Sequence, residues 1–413
     1  MLIKTCANIL LFYTDKQQRI GNLFLPSLCF RTINMSIIKQ LKLHNFRCYE
    51  SATLNDLSNR LIVLHGKNGV GKTNILEAVS LLSPGRGIRS ARVMDIQNTA
   101  ISEAWAVASI LNASYGEVRL GTGLDTKSKK GREKRTVRIN GQPLKSQAKL
   151  GEHLSCIWLT PQMDRLFMDS GRERRKFLDR MVFTFDSGHS GRVIRYENAL
   201  SQRSKLLRDG QNDDSWLSAL EQQMAETGIA IAAARLDFCQ RLQAANNSEI
   251  DKYFPKAKIF IKGNIEELLW SMPAIEVEDR FKQELKNSRE RDAITGGSII
   301  GPHKSDLSVI YETKNMRADQ CSTGEQKALL IGIILAHSRL IKAERGVPPI
   351  VLLDEVAAHL DENRRNALYE ILHDLGAQCW LTGTDKTLFS DIEESAQFLD
   401  VGQIKHQEQK ITF

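Results

Sequence analysis

The spacing of apolar residues divides this chain into strand-like and helix-like stretches. Alternation through Ile38-Lys39-Gln40-Leu41-Lys42-Leu43 predicts a half-buried strand. Arg60-Leu61-Ile62-Val63-Leu64 contains a short continuous apolar run, as a fully buried strand requires. Just beyond it, Ile75, Leu76, Val79 and Leu82 recur at helical spacing, so the period changes within one loop. Glu117-Val118-Arg119-Leu120 and Thr136-Val137-Arg138-Ile139 read as strands around a Gly- and Lys-rich segment, with Asn140-Gly141 marking a tight turn. From about 165 to 295 the pattern becomes helical. It is clearest over Ser215–Leu242, where Leu217, Leu220, Met224 and Ile229 precede an Ala-rich stretch. That region is too short and irregular for long heptad arms, and it predicts a compact helical lobe. Ala328, Leu329, Leu330, Ile333, Ile334 and His337 outline a later helix. Ile350–Leu353 is a second buried strand, lying between Pro348-Pro349 and the carboxylates Asp354 and Glu355.

The expected organisation follows from these changes of period. Residues 1–34 carry short apolar runs, Ile9–Phe12 and Leu23–Phe30, separated by a polar stretch. Neither run is long enough for a secretory signal with a small-residue cleavage site, so an upstream, poorly ordered extension is expected. Residues 35–164 are expected to form the first half of an α/β head, 165–295 a helical second lobe, and 296–413 the second half of the head. A chain of 413 residues has room for two or three domains, and 42% hydrophobic with 26% charged residues marks an ordinary globular protein. No run of 18 apolar residues is present, so no membrane span is expected. Seven scattered cysteines without a CxxC pair indicate neither a disulfide framework nor a zinc site, and a reducing, cytoplasmic compartment is expected.

The loop between the first buried strand and its helix carries the clearest chemistry. His65-Gly66-Lys67-Asn68-Gly69-Val70-Gly71-Lys72-Thr73 contains the phosphate-loop spacing of two glycines followed by Lys-Thr. Its glycines let backbone N–H groups turn inward around an anion, and the following helix start points at the phosphates. In that pattern Lys72 reaches the β- and γ-phosphates, and the Thr73 hydroxyl ligates Mg²⁺. Asp354 is the matching acid for Mg²⁺, directly or through water, and Glu355 then lies where a general base can act on the attacking water. These residues call for a nucleoside triphosphate. Ser322-Thr323-Gly324-Glu325-Gln326-Lys327 adds a second helix start with hydroxyls and a glycine, another anion-binding arrangement.

In this order the motifs resemble the ABC-type ATPase superfamily, whose signature helix contacts the γ-phosphate held by the opposite subunit. Further segments narrow the resemblance to the RecF family. Leu43-His44-Asn45-Phe46-Arg47-Cys48-Tyr49 is similar to the family's opening strand and aromatic-basic element. Thr160-Pro161-Gln162 and Arg172-Glu173-Arg174-Arg175-Lys176-Phe177-Leu178-Asp179 resemble the segment after the first half of its core. Gly301-Pro302-His303-Lys304-Ser305-Asp306-Leu307 looks like the Gly-Pro-His motif leading to the signature. The resemblance runs from Met35 to near residue 405. It implies an ABC-type head of α/β class with a compact helical lobe, ATP and Mg²⁺ as ligands, and an ATP-dependent homodimer. It places Arg47 near the nucleotide and Gln162 between the γ-phosphate and the second lobe. Ser322 and Gly324 would act in trans, with Asp361 crossing the dimer interface. It also implies DNA repair and replication at gapped sites, RecR/RecO-type partners assisting RecA loading, and a part in SOS induction.

Two departures from the wider superfamily shape the expected activity. Thr323 and Glu325 differ from the Ser-Gly-Gly-Gln of transporter ATPases, which argues against a transporter subunit. Thr382-Gly383-Thr384 stands where many relatives place a switch histidine. A hydroxyl can sense a γ-phosphate by hydrogen bonding but carries protons poorly near neutral pH, so a weak, slow, DNA-dependent ATPase is expected. An ATP-gated nuclease of the overcoming-lysogenisation type would need a metal-carboxylate domain, and none is expected before Phe413. The net charge of +8 and pI near 9.0 suit a polyanion. Two basic clusters stand out, one containing Lys129, Lys130 and Arg132 and one containing Arg174 and Arg175. With no base-reading motif, they are expected to meet DNA phosphates, giving salt-sensitive and mostly sequence-independent binding.

Overall fold

A computed structural model describes residues 37–101, 103–113, 116–125, 134–210, 213–246 and 253–406. The expected extension at 1–34 lies outside these residues, as do Lys129, Lys130 and Arg132. The chain begins with strands β1 (Ile37–Phe46), β2 (Tyr49–Leu54) and β3 (Leu61–His65), followed by helix α1 (Lys72–Leu81). Strands β4 (Ala106–Ala113), β5 (Gly116–Leu124), β6 (Arg135–Ile139), β7 (Gln142–Pro143) and β8 (Cys156–Leu159) come next. Helices α2 (Gly171–Phe183), α3 (His189–Arg208) and α4 (Asp214–Asn246) precede β9 (Ala257–Lys262). Then follow α5 (Asn264–Ser271), α6 (Ala274–Asn287), α7 (Arg289–Thr295), β10 (Asp306–Tyr311) and β11 (Met316–Arg317). The chain closes with α8 (Thr323–Arg345), β12 (Ile350–Leu353), α9 (Glu362–Leu375), β13 (Cys379–Gly383) and β14 (Ala396–Asp400).

Two compact units result. One comprises Thr32–Arg165, Ala245–Ala257 and Tyr311–Phe413. Its five-stranded sheet has the order β14-β3-β13-β12-β8, every neighbouring pair parallel. The central strands are buried along their whole length, which is why Ile62–Leu64 and Ile350–Leu353 read as unbroken apolar runs. Its second sheet is antiparallel, in the order β2-β1-β4-β5-β6-β7. There Leu41 and Leu43 are buried while Lys42 is half exposed, as their alternation predicts. Leu41, Leu43, Val107 and Leu111 of this sheet share one apolar cluster with Ile75 and Val79 of α1 and with Ile62, Leu64, Leu352 and Trp380. This packing holds α1 by its apolar stripe and so fixes the start of the helix at the edge of the parallel sheet. Helix α8 is buried on every side from Gln326 to Ser338, which explains why its apolar pattern is continuous rather than striped.

The other unit comprises Leu166–Ala244 and Lys258–Ile310. Helices α2 to α7 form it around Leu178, Tyr196, Met224, Phe238, Leu242 and Phe281, with β9 and β10 paired beside them. The expected helical lobe ended at 295, but the unit continues through Ile310. The cause is a set of side-chain bonds that tie 302–306 to the helices. Arg235 Nη1 donates to Pro302 O at 2.6 Å, Tyr196 Oη and His303 Nδ1 lie 2.7 Å apart, and Arg174 forms a bidentate pair with Asp306 at 2.7 Å.

Candidate functional site

Register in the parallel sheet gathers the site. Leu353 pairs with Leu159 and with Leu381, and His65 pairs with Gly383. The segments leaving β3, β12, β13 and β8 therefore emerge at one sheet edge. Those segments are the loop 66–71, the Asp354-Glu355 pair, Thr382–Thr384 and Thr160–Gln162. The C-terminal edge of a parallel sheet is where open α/β folds bind ligands.

Gly66, Gly69 and Gly71 have φ of +141°, +80° and +112°, so the loop uses backbone conformations that L side chains rarely adopt. Gly71 precedes α1 without any side-chain cap, which leaves the first N–H groups of the helix open to an anion. Lys72 is buried. Its Nζ donates to Gly66 O at 2.7 Å and Lys67 O at 3.2 Å and reaches Asn68 Oδ1 at 3.5 Å. Burial lowers the Lys72 pKa, while Glu355 and Asp354 oppose that shift. Val70 N closes the turn on Lys67 O at 3.4 Å.

Thr73 and Asp354 meet directly. The Thr73 hydroxyl lies 3.1 and 2.9 Å from the two carboxylate oxygens of Asp354. A hydroxyl and a carboxylate side by side at a phosphate loop are the hard oxygen donors that Mg²⁺ prefers, alongside waters and substrate phosphates. Glu355 follows with φ +53°, a left-handed conformation in a non-glycine residue. Its backbone N–H donates to Thr382 Oγ1 at 2.8 Å, and the Thr382 hydroxyl donates to Asp354 Oδ1 at 2.7 Å. Within the Thr382-Gly383-Thr384 segment expected to sense the γ-phosphate, the Thr382 hydroxyl thus gives its one proton to an acid of the same chain.

Arg47 lies in the β1–β2 turn, with φ +54°. It forms a bidentate pair with the fully buried Glu77 of α1, at 2.8 and 2.6 Å. The structure thus shows Arg47 docking the hairpin against the helix that follows the phosphate loop. Its neighbours Cys48 and Tyr49, which carry no individual signal in the sequence, touch the loop. Tyr49 Oη donates to Gly71 O at 3.1 Å, and Asn74 Nδ2 donates to Cys48 Sγ at 3.1 Å. A Cβ on Gly71 would stand 2.5 Å from Tyr49 Oη and 2.8 Å from Cys48 Sγ. Glu77 itself gave no sequence signal, since it sits among apolar neighbours on a helix buried almost all round. Gln162 is exposed in the turn after β8, on the same sheet edge as Asp354.

Ser322 and Gly324 begin α8 elsewhere in this unit. Ser322 forms a capping box with Glu325, its N–H and Oγ donating to Glu325 Oε2 at 2.9 and 2.8 Å. Lys314 pairs with the other oxygen of that carboxylate. Lys314, together with the bonds from Ser322, holds the Glu325 pKa down at about 2. No side-chain bond of Ser322 runs to Gly66–Thr73 of its own chain, and a Cβ on Gly324 would meet nothing within 4 Å. Asp361 caps α9, its Oδ1 accepting from Arg364 N at 2.9 Å.

Arg174 and Arg175, expected to meet DNA phosphates, are both engaged by partners within the helical unit. Arg174 holds Asp306 with two bonds of 2.7 Å and donates to Phe167 O and Asp169 O. Arg175 Nη1 donates to Ser305 O at 2.7 Å. Both side chains are half-buried. Arg172 and Lys176 are the exposed basic residues of that run.

Comparison with known proteins gives consistent results. The profile of the RecF/RecN/SMC N terminal domain matches residues 37–410. The chain is 47% identical to the DNA replication and repair protein RecF of Mesorhizobium japonicum, over 88% of this chain and 96% of that one. It is 45% identical to the protein of the same name from Allorhizobium ampelinum, over 89% and 97%. Among solved structures, the recombination mediator protein RecF with an ATP analogue, from the RecFOR pathway, superposes with a TM-score of 0.77 at 23% identity, covering 89% of this chain and 97% of that one. That match is of fold: an ABC-type ATPase head with a helical lobe. Among the described residues, no helix is long and apolar enough to cross a membrane.

Proposed function

This chain belongs to the RecF family of DNA replication and repair proteins, and we propose that it is an ATP-switched DNA clamp. The carrying observation is the direct Thr73–Asp354 contact beside an uncapped helix start and a glycine loop. Gly66 through Thr73 hold the triphosphate of ATP, with Lys72 leaving its loop carbonyls for the phosphate oxygens. Thr73 and Asp354 would hold Mg²⁺, which would neutralise charge on the triphosphate. Glu355 orients and deprotonates the attacking water. Arg47 steadies the pocket through Glu77, and Gln162 stands at the sheet edge where the γ-phosphate ends.

Ser322 and Gly324 complete the site in trans. Ser322 bonds only within its own helix start, and Gly324 leaves open space in front of it, both of which suit a phosphate brought by a second copy. Asp361, at the next helix start, lies at the same interface. Two ATP-loaded copies then close over duplex or gapped DNA, holding it by its phosphates, and hydrolysis removes the ligand they share. Release is slow, because Thr382 cannot carry the proton that a histidine would. Partners of the RecR and RecO type and RecA loading belong to this reading, as does SOS induction.

Sedimentation with ATP and DNA tests it, comparing wild type with Ser322→Arg and Ser322→Asp. The aspartate preserves the N-cap but sets a negative charge against the incoming phosphate. Both variants should remain monomeric while still binding nucleotide. Dimerisation of either variant at the wild-type ATP concentration would show that Ser322 does not serve the partner's site.

A further inference from the structure

Thr382 has more to do in this site than its sequence position indicates. Leu381 pairs in register with Leu353, so the next residues of the two strands, Thr382 and Asp354, come side by side. The Thr382 side chain is buried, and its hydroxyl is engaged twice. It donates to Asp354 Oδ1 at 2.7 Å and accepts from Glu355 N at 2.8 Å. A hydroxyl has one proton to give and a phosphate oxygen can only accept, so this geometry leaves Thr382 no donor for a phosphate.

We infer that Thr382 is a positioning residue that sets both acids of the proposed hydrolytic site. The inference rests on the ATPase reading above and concerns how its two carboxylates are held. On one side Thr382 and Thr73 clamp the Asp354 carboxylate between two hydroxyls, one from β13 and one from the start of α1. On the other it holds the amide of Glu355, whose φ of +53° is costly for a residue with a side chain. Such strain persists only where the surroundings fix it. Without the Thr382 acceptor the Glu355 backbone relaxes toward ordinary φ, and its carboxylate swings away from the direction in which the strand end now points it. Thr382 thus acts through Asp354 and Glu355.

Thr382→Val is nearly isosteric and removes the hydroxyl, while Thr382→Ser keeps it. Both are to be made in wild type and in Glu355→Gln. Single-turnover hydrolysis by Thr382→Val should fall by about tenfold or more, since misplacement of a reacting group by an ångström can cost a hundredfold. Its affinity for a non-hydrolysable ATP analogue should stay within about threefold of wild type, less than the loss of one ordinary hydrogen bond to the ligand. Thr382→Ser should hydrolyse at near the wild-type rate. In the Glu355→Gln background, Thr382→Val should cost less than it does in wild type, what remains being the part carried through Asp354.

Hydrogen exchange in nucleotide-free protein gives a readout independent of turnover. The Glu355 amide should be protected in wild type and Thr382→Ser and exposed in Thr382→Val. If Thr382→Val weakens analogue binding as much as turnover, the hydroxyl touches the phosphate and the inference is overturned. The same follows if the two substitutions multiply in the double variant. If Glu355→Gln leaves hydrolysis unchanged, it is the proposed role of Glu355 that fails. Exchange then still decides the positioning claim, which a freely exchanging Glu355 amide in wild type refutes.

Discussion

Replacing Asp179 by Asn should destabilise the helical unit strongly, and in a pH-dependent way. Asp179 accepts from Arg235 Nε and Nη2 at 2.7 and 2.8 Å and lies 2.8 Å from His189 Nε2. The Arg235 guanidinium is buried and also donates to Pro302 O at 2.6 Å. Burial alone would raise the Asp179 pKa, but Arg235 and His189 together bring it down to about 2, from an ordinary 3.8. That depression corresponds to roughly 2–3 kcal/mol of stability, at about 1.4 kcal/mol for each tenfold change in the protonation equilibrium. The folded pKa lies below the unfolded one, so this contribution is complete above about pH 4 and is lost as pH falls toward 2. About half of it should remain near pH 3. Asp179→Asn does more than protonation, since it leaves a buried guanidinium without its counter-ion, at a cost of about 3–5 kcal/mol. Urea unfolding of wild type and variant at pH 7, 5, 4 and 3, with the transition read separately for the helical unit, measures both effects. The gap between the proteins should be several kcal/mol at pH 7 and narrow by about 1 kcal/mol at pH 3. A gap below about 1 kcal/mol at pH 7 would refute the reasoning, because a typical lone hydrogen bond contributes that much.

Two shorter predictions concern the nucleotide loop and the basic helix. Gly71→Ala should weaken equilibrium binding of a fluorescent ATP analogue by about tenfold or more, since strained φ alone costs of order 1–3 kcal/mol. Gly69→Ala, with no atom within 4 Å of the new Cβ, should lose less, and equal losses would mean that Tyr49 and Cys48 do not restrict the loop. Arg172→Ala with Lys176→Ala should flatten the salt dependence of duplex DNA binding by about two phosphate contacts. Arg174→Ala should leave that slope unchanged and lower the unfolding midpoint, the reverse of what a DNA contact would give.

What could be read in advance was whatever depends on local order along the chain. The phosphate loop, Asp354-Glu355 and the Ser322 helix start are each a short run whose chemistry is complete in sequence. The unbroken apolar strands flanking them fixed which end of a parallel sheet they would occupy. The partners of Arg174 and Arg175 are not legible because charge in a sequence does not reveal what it pairs with: Asp306 and Ser305 lie about 130 residues away. The same long-range pairing accounts for two family-like segments with no obvious chemistry. Arg172–Asp179 and Gly301–Leu307 bind one another, directly through Arg174 and Arg175 and indirectly through Arg235. The Gly-Pro-His segment is therefore part of the scaffold of the helical unit. His303 fits that role, because burial pushes its pKa down to about 4 and the ring is neutral near pH 7, bonded between Tyr196 Oη and Ser298 O. Thr382 stands out in the sequence only as a position where many relatives carry histidine, and its contact with Asp354 depends on strand register, which periodicity does not supply.

Three helix starts in the head separate the parts of the site by how each satisfies its own N–H groups. Helix α1 has no side-chain cap, and its first N–H groups are open to an anion from outside the chain. Helix α8 is closed by Ser322 and Glu325, and α9 by Asp361. Capped helix starts are already satisfied, so a phosphate approaching α8 has to displace or share the Ser322 hydroxyl now given to Glu325. The exchange is of one anion for another at the same dipole end, where each contributes only about 0.3–1 kcal/mol at an exposed surface. In the proposed dimer the net gain from one copy reaching the other's ATP would be correspondingly small, and Lys314, by pairing with Glu325, keeps the competing carboxylate in place. The proposed clamp would close only when both nucleotides are present and each α8 meets a phosphate, and would open once either phosphate is lost. Weak individual contacts, doubled by two-fold symmetry, would then give a switch that depends on nucleotide state without committing the two copies to a permanent dimer.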